Sequence, residues 1–253
     1  VYDPIAHWVW GHGGWLAKLG ALDFAGGTVV HVSSGVAALV AAWFLGPRLR
    51  AVDRDRPHDL TMVLLGAALC WFGWFGFNAG SALAANGTAA IAFVNTDVAA
   101  AMGGLVWMAL AWRHRGAPSA SGAIAGAFCG LIAITPAAGY VSPSASILIG
   151  MVAALVCYGA VLLRERMRID DALDVFPLHA IGGATGAILT GVFANSGLLP
   201  QFAAVAAVSA YTAFSTYTIL LVVTRFVPVR VSQGEEIAGL DVTQHAEVAY
   251  AHS

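Results

Sequence analysis

The chain has 253 residues, of which 59% are hydrophobic and only 10% charged, with a formal net charge of −2 and a mean hydropathy of +0.77. A soluble domain carries charge at about a quarter of its positions, so most of this surface does not face water. The arginines are spread as loop anchors rather than gathered in a basic patch, which argues against a nucleic-acid partner.

In chain order, Val1–Trp10 (VYDPIAHWVW) reads as the tail of an apolar helix, so the chain is expected to start inside a longer protein. Trp10 and Trp15 suit an aromatic belt at a membrane boundary, and a face-on Trp also attracts a small cation. Asp23 closes the loop that follows. Its plain reading is a cap whose carboxylate accepts helix N–H groups.

Phe24 to Pro47, Leu60 to Thr96, Val98 to Trp112, Gly116 to Leu163 and Val175 to Thr224 then contain no Asp, Glu, Lys or Arg. A helix crossing a bilayer needs about 20 such residues. The longer runs break at Ala84–Gly87, Thr135–Pro143 and Ala194–Pro200. Seven spanning helices result, at roughly 24–45, 60–82, 91–112, 119–137, 145–163, 175–193 and 203–225. Alternating barrel patterning is absent, so helices are the viable spanning structure. The fold class is an all-α polytopic membrane protein, with a membrane domain over 1–229 and a tail over 230–253.

Seven crossings alternate the loops between two sides. Arg48, Arg50, Arg54, Arg56, Arg113, Arg115, Arg164, Arg166, Arg168, Arg225 and Arg230 all fall on one side, and only Lys18 falls on the other. That bias marks the cytoplasmic face, and places the C-terminal tail there. Cys70, Cys129 and Cys157 sit within predicted spans at no metal-ligand spacing, so they read as buried free thiols. HExxH, GxSxG and paired-Asp motifs are missing, so nothing marks an enzyme, a metal or a cofactor.

Polar residues inside the spans carry the functional signal. Ionisable groups in a membrane are costly and usually face a bundle interior or a cavity. His31 shares helical spacing with Gly27, Ser34 and Gly35, and His179 with Gly182, Gly183 and Gly186. Faces of small residues let backbones approach closely, so both imidazoles are expected in a tight interior. Trp74, Phe77, Asn78 and Ser81 form another stripe, which favours a channel-lining surface. Asp170 and Asp171 read as a solvated helix start, and Asp174 as a marker of the inner pore mouth.

Five stretches carry a family resemblance: ALDFAGGTVVHVSSGVAALVAA (21–42), WFGWFGFNAGSALAANGTAAIAFVNT (71–96), AITPAAGYVSP (133–143), DDALDVFPLHAIGGATGAILTGVFA (170–194) and GLDVTQHAEVAY (239–250). Together they resemble the ammonium transporter (Amt/MEP/Rh) family over essentially the whole chain. The resemblance implies an eleven-helix fold of two inverted five-helix repeats plus a last helix, assembled as a homotrimer with one pore per subunit. This chain then holds the end of the fourth helix and everything after it. By motif, His31 and His179 are twin pore histidines, and Trp10 and Ser81 belong to an outer ammonium-recruitment site. Phe77 is a gating phenylalanine, Trp74 lines the pore below it, and Asp23 is a structural aspartate near the outer site. The family usually has VFGVHGVGG where this chain has VFPLHAIGG (175–183), and HGE where it has HAE (245–247). The resemblance further implies ammonium or ammonia as substrate, the cell membrane as location, and a PII-type regulator at the tail. A rival is a sensor that uses the same fold to detect ammonium.

Overall fold

The computed structural model describes residues 1–49, 57 and 59–248. The expected basic positions Arg50, Arg54 and Arg56, and the end of the tail from 249, lie outside the described residues. The ordered elements among those residues are all helices. Two short ones, α1 (Tyr2–Trp10) and α2 (Trp15–Leu19), come first. Then follow α3 (Gly27–Leu45), α4 (Leu60–Gly80), α5 (Gly87–Arg115), α6 (Ala120–Ile134), α7 (Pro143–Arg166), α8 (Phe176–Phe193) and α9 (Leu198–Val223). Two short tail helices end the chain, α10 (Gln233–Ala238) and α11 (Leu240–His245).

The loops expected between runs hold the residues that start helices. Asp59, Asn86, Ser119 and Ser142 each accept a backbone N–H from the first turn of α4, α5, α6 and α7, which satisfies donors the helix leaves orphaned. Pro143 begins α7, where its missing N–H costs nothing. Six of the long helices are long and apolar enough to cross a membrane, while α6 has 15 residues. That is about 22 Å at 1.5 Å per residue, short of a ~30 Å hydrocarbon core. Its expected extent to 137 is cut because Pro136 brings no N–H and disfavours helix at the residue before it. Buried turns through Thr135, Ala137 and Ala138 continue the path instead.

Close backbone approach sets the packing of α5, α6 and α7. A Cβ on Gly130 or Gly150 would run into the carbonyl of Ala99, and one on Gly126 into Gly103. Small residues serve this purpose where lipid offers no hydrophobic drive between helices. Ile132, Ile149, Ala153, Cys129 and Cys157 fill this core, and Cys129 and Cys157 are free and buried. Cys70, expected to be buried, is exposed on α4. A second core joins α1 and α2 to α3 and α9 through Ile5, Leu16, Val29, Val32, Ala204 and Val208. Gln201, almost fully buried on α9, grips the segment before Asp23 by accepting from the Leu22 N–H and donating to the Leu22 carbonyl. On α4, Leu65, Leu69 and Phe72 are all more than 60% exposed, an apolar face suited to lipid or further helices.

At the other end of α3, Arg48 forms an ion pair with Asp170 at 2.7 Å. Arg230 donates to the carbonyls of Leu45 and Pro47 and pairs with Glu236, which also accepts the Leu49 N–H. The first tail helix, begun by a Ser232–Glu235 capping box, is thereby tied to the end of α3. The expectation that Asp170 and Asp171 are solvated is corrected. The Asp170 side chain is 4% exposed in its pair with Arg48. Asp171 is buried and accepts the Phe176 N–H at 2.7 Å. Burial with a donor stabilises a carboxylate where burial alone would not.

Candidate functional site

Both histidine helices begin with a six-residue π-helical turn, Gly27–Val32 in α3 and Phe176–Ile181 in α8, before turning α-helical. Single π turns inside helices often mark functional positions. An aspartate precedes each histidine by eight residues, Asp23 before His31 and Asp171 before His179. Three residues after each aspartate the backbone is left-handed, at Gly26 with φ 114° and at Asp174 with φ 55°. The next turn then closes in the same way, from Val30 N–H to the Gly26 carbonyl and from Leu178 N–H to the Asp174 carbonyl.

Glycines twelve residues after each aspartate let the two helices cross. A Cβ on Gly35 would strike the backbone of Ala180, and one on Gly183 would meet the Gly27 carbonyl and the Cβ of His31. Gly182 and Gly186 face Cys157, Ile132 and Ala133 instead. The expected single small-residue face of α8 is therefore two faces, one toward α3 and one toward α6 and α7. The expected face of α3 divides too, because the π turn breaks α-helical spacing and turns Gly27 onto Pro136.

At the crossing, Nδ1 of His31 lies 3.1 Å from Nδ1 of His179. His31 is buried at 2% exposure, stacks on Trp74 with centroids 5.3 Å apart and planes 19° apart, and lies 6.1 Å from the Phe77 ring. Its Nε2 is 3.3 Å from Oγ1 of Thr135, which also accepts from Nε1 of Trp74 at 3.1 Å. The pair opens onto a cleft of about 350 Å³ lined by Val30, His31, Ser34, Cys70, Gly73, Trp74, Phe77 and His179. Among the described residues, this lining holds no Asp, Glu, Lys or Arg.

The structure thus brings together His31, His179, Trp74 and Phe77. Trp10 sits over the start of α3, donating to the Asp23 carbonyl at 2.7 Å. Ser81 ends α4 and donates to the Phe77 carbonyl. Among the described residues, no hydrogen bond or ring contact joins the side chains of Trp10 or Ser81 to the histidine rings. Asn78 does not line the cleft: it is fully buried and donates to Thr96 on α5. Phe77 and Asn78 are consecutive and so about 100° apart on α4, which lets Phe77 line the cleft while Asn78 turns to α5.

Asp23 is a cap on a large scale. Its carboxylate accepts the N–H groups of Gly26, Gly27, Thr28 and Val29 and the Thr28 hydroxyl. Asp174, expected at a pore mouth, pairs with Arg164 at 2.7 Å. Thr135 and Asp171 were not singled out among the candidate site residues. Asp171 has a sequence signal in the shared Asp-to-His spacing; Thr135 has none beyond its place in AITPAAGY.

These features define a class: a polytopic helical membrane protein whose two re-oriented helices bring a histidine pair to an apolar cleft. A model of the ammonium transporter family matches residues 1–250. An ammonium transporter of Bacillus subtilis is 48% identical over all of this chain and 66% of its own length. The crystal structure of Candida albicans Mep2 superposes with a TM-score of 0.84 at 42% identity, over 89% of this chain and 55% of that one. A sensor Amt protein superposes at 0.89 with 29% identity, over 96% of this chain and 66% of that one. The chain belongs to the ammonium transporter family, and it spans less than two thirds of the length of these relatives.

Proposed function

We propose that the protein carries ammonium across the membrane, and that the histidine pair is where ammonia is separated from its proton. The observation that carries this reading is the 3.1 Å contact between His31 and His179 beside a cleft without charged lining. Moving a bare cation into such an interior costs on the order of tens of kcal/mol by Born estimates, less after relaxation. Potassium has the same charge and a similar size, and has no way to shed that cost. Ammonium has one, because it can release a proton and proceed as neutral ammonia. Imidazole, with an ordinary pKa of about 6.5, is the side chain suited to accept and return that proton.

In this scheme Trp10 and Ser81 recruit ammonium on the outer side, through a π face and a hydroxyl. Phe77 gates the entry, and Trp74 walls the path beside His31. Asp23 holds the start of α3, which places the histidine. Residues 1–229 form the membrane domain in the cell membrane. Residues 230–253 form a cytoplasmic tail, open to a PII-type regulator, and three copies assemble with one path each. The likeness to a sensor Amt protein supports a second reading, in which the same site binds ammonium to signal.

The test is ammonium-evoked current from the complete protein in proteoliposomes, run beside potassium and a His179→Ala variant. Current with ammonium but not potassium, altered by the substitution, is the expected result. Ammonium binding with neither current nor ammonia flux would replace transport with sensing.

A further inference from the structure

The hydroxyl of Thr135 touches more of the site than any other polar group outside the histidines, and its hydrogen bonds can be counted. A threonine hydroxyl has one proton to give and two lone pairs to receive. Oγ1 of Thr135 lies 2.8 Å from the carbonyl of Leu131. That carbonyl sits at the end of α6, where the Thr135 N–H turns to Ile132 instead. The hydroxyl proton is therefore the donor this buried carbonyl has, and moving it away would leave a buried acceptor unpaired. One lone pair takes the Trp74 N–H at 3.1 Å, and an indole nitrogen can only donate. What remains for Nε2 of His31, at 3.3 Å, is the second lone pair.

We propose that Thr135 is a positioning residue that sets the proton register of the histidine pair. His31 must carry its proton on Nε2 to donate to Thr135. Its Nδ1 is then a lone pair, and the 3.1 Å contact becomes a hydrogen bond from Nδ1–H of His179 to Nδ1 of His31. Nε2 of His179 is left as the basic nitrogen that the neutral pair offers. The pair is polar along its length: one end is locked against Thr135 and the other is open to an N–H donor. Ammonium meets its acceptor at His179, and the same hydroxyl keeps Trp74 stacked on His31. The chemical consequence rests on the transport reading, while the register itself does not.

The experiment is nitrogen-15 NMR of histidine-labelled complete protein in lipid bilayers, with the two rings assigned from His31→Ala and His179→Ala variants. The register predicts an Nε2–H signature for His31 and an Nδ1–H signature for His179. Thr135→Val should let His31 exchange between both forms and cut ammonium flux by about tenfold, the equivalent of one buried hydrogen bond. Thr135→Ser should restore both readouts. Trp74→Phe, which removes the indole donor alone, should leave the His31 signature in place. A wild-type His31 protonated on Nδ1 would overturn the proposal, as would an unchanged tautomer in Thr135→Val. If that variant fails to fold, the wild-type and Thr135→Ser spectra still decide. The predicted signatures in a protein that passes no ammonium would keep the register and discard transport.

Discussion

The two histidine helices are built on one plan and held with unequal force. At the start of α3, Asp23 accepts four backbone N–H groups and a hydroxyl. At the start of α8, Asp171 accepts the Phe176 N–H. Sequence explains the gap. Pro177 stands six residues after Asp171, where Val29 stands after Asp23, and proline has no N–H to give. Asp174 occupies the place of Gly26 and adopts a left-handed φ that costs a non-glycine residue about 1 kcal/mol or more. Its carboxylate is turned to Arg164 at 2.7 Å. One helix start is thus fixed by its own backbone, the other by side chains from α7 and the loop. A shared geometry at the histidines does not require a shared source of stability.

The largest expected effect breaks this asymmetry directly. Asp23→Ala orphans a set of buried donors at once and should cost at least about 3 kcal/mol, since each unpaired group carries roughly 1–3. Asp171→Ala removes one cap bond and should cost about 1 kcal/mol. Thermal unfolding of the purified protein in detergent compares the two. Equal losses would show that α8 depends on Asp171 through contacts other than its cap.

The glycines test the part of the plan that is symmetric. Gly35→Ala and Gly183→Ala each push a methyl into the opposite helix, where backbone and the His31 Cβ stand with little room to yield. Each should cost about 1–3 kcal/mol, as overpacking does, and separate the two rings. Both should also lower ammonium flux, with neither much worse than the other. A harmless Gly183→Ala beside a damaging Gly35→Ala would mean that α3 is the rigid partner and α8 the one that moves.

How much of this was legible in the sequence depended on the scale of the signal. Uncharged runs and their breaks placed six membrane-length helices and the shorter α6 to within about five residues, because bilayer thickness sets the length of each run. The histidines stood out because an ionisable residue in an apolar run demands a reason. Their pairing was legible only through the family resemblance, since the contact arises from a crossing 148 residues apart in sequence. The π turns hid as well, because a helical spacing rule assumes 3.6 residues per turn throughout. Asp171 looked solvated because it sits in an acidic loop. Cys70 looked buried because hydropathy does not say which side of a helix meets a neighbour, and Asn78 looked channel-facing because its spacing put it on one stripe with Trp74 and Phe77.

The smallest effect concerns the far end of α3, which has a charged brace. The Glu236 carboxylate accepts the Leu49 N–H and pairs with Arg230, with Arg48 and Asp170 nearby. The Leu49 N–H, followed by Arg230, holds the carboxyl below its ordinary value of 4.5. A carboxylate lowered on folding stabilises the docked form above its unfolded value, and that contribution is lost as pH falls through the lowered one. Docking of α10 should therefore be unchanged between pH 7 and 5 and loosen as pH falls below the ordinary 4.5. Hydrogen exchange at the amides of α10 and at Leu49 measures it. Because this ion pair lies at the surface, with Glu236 only partly buried, it is screened by solvent and the effect is small. Glu236→Gln should abolish the pH dependence while leaving the exchange of the α8 amides as it was. Loosening of α8 in step with α10 would show that the tail braces both histidine helices rather than α3.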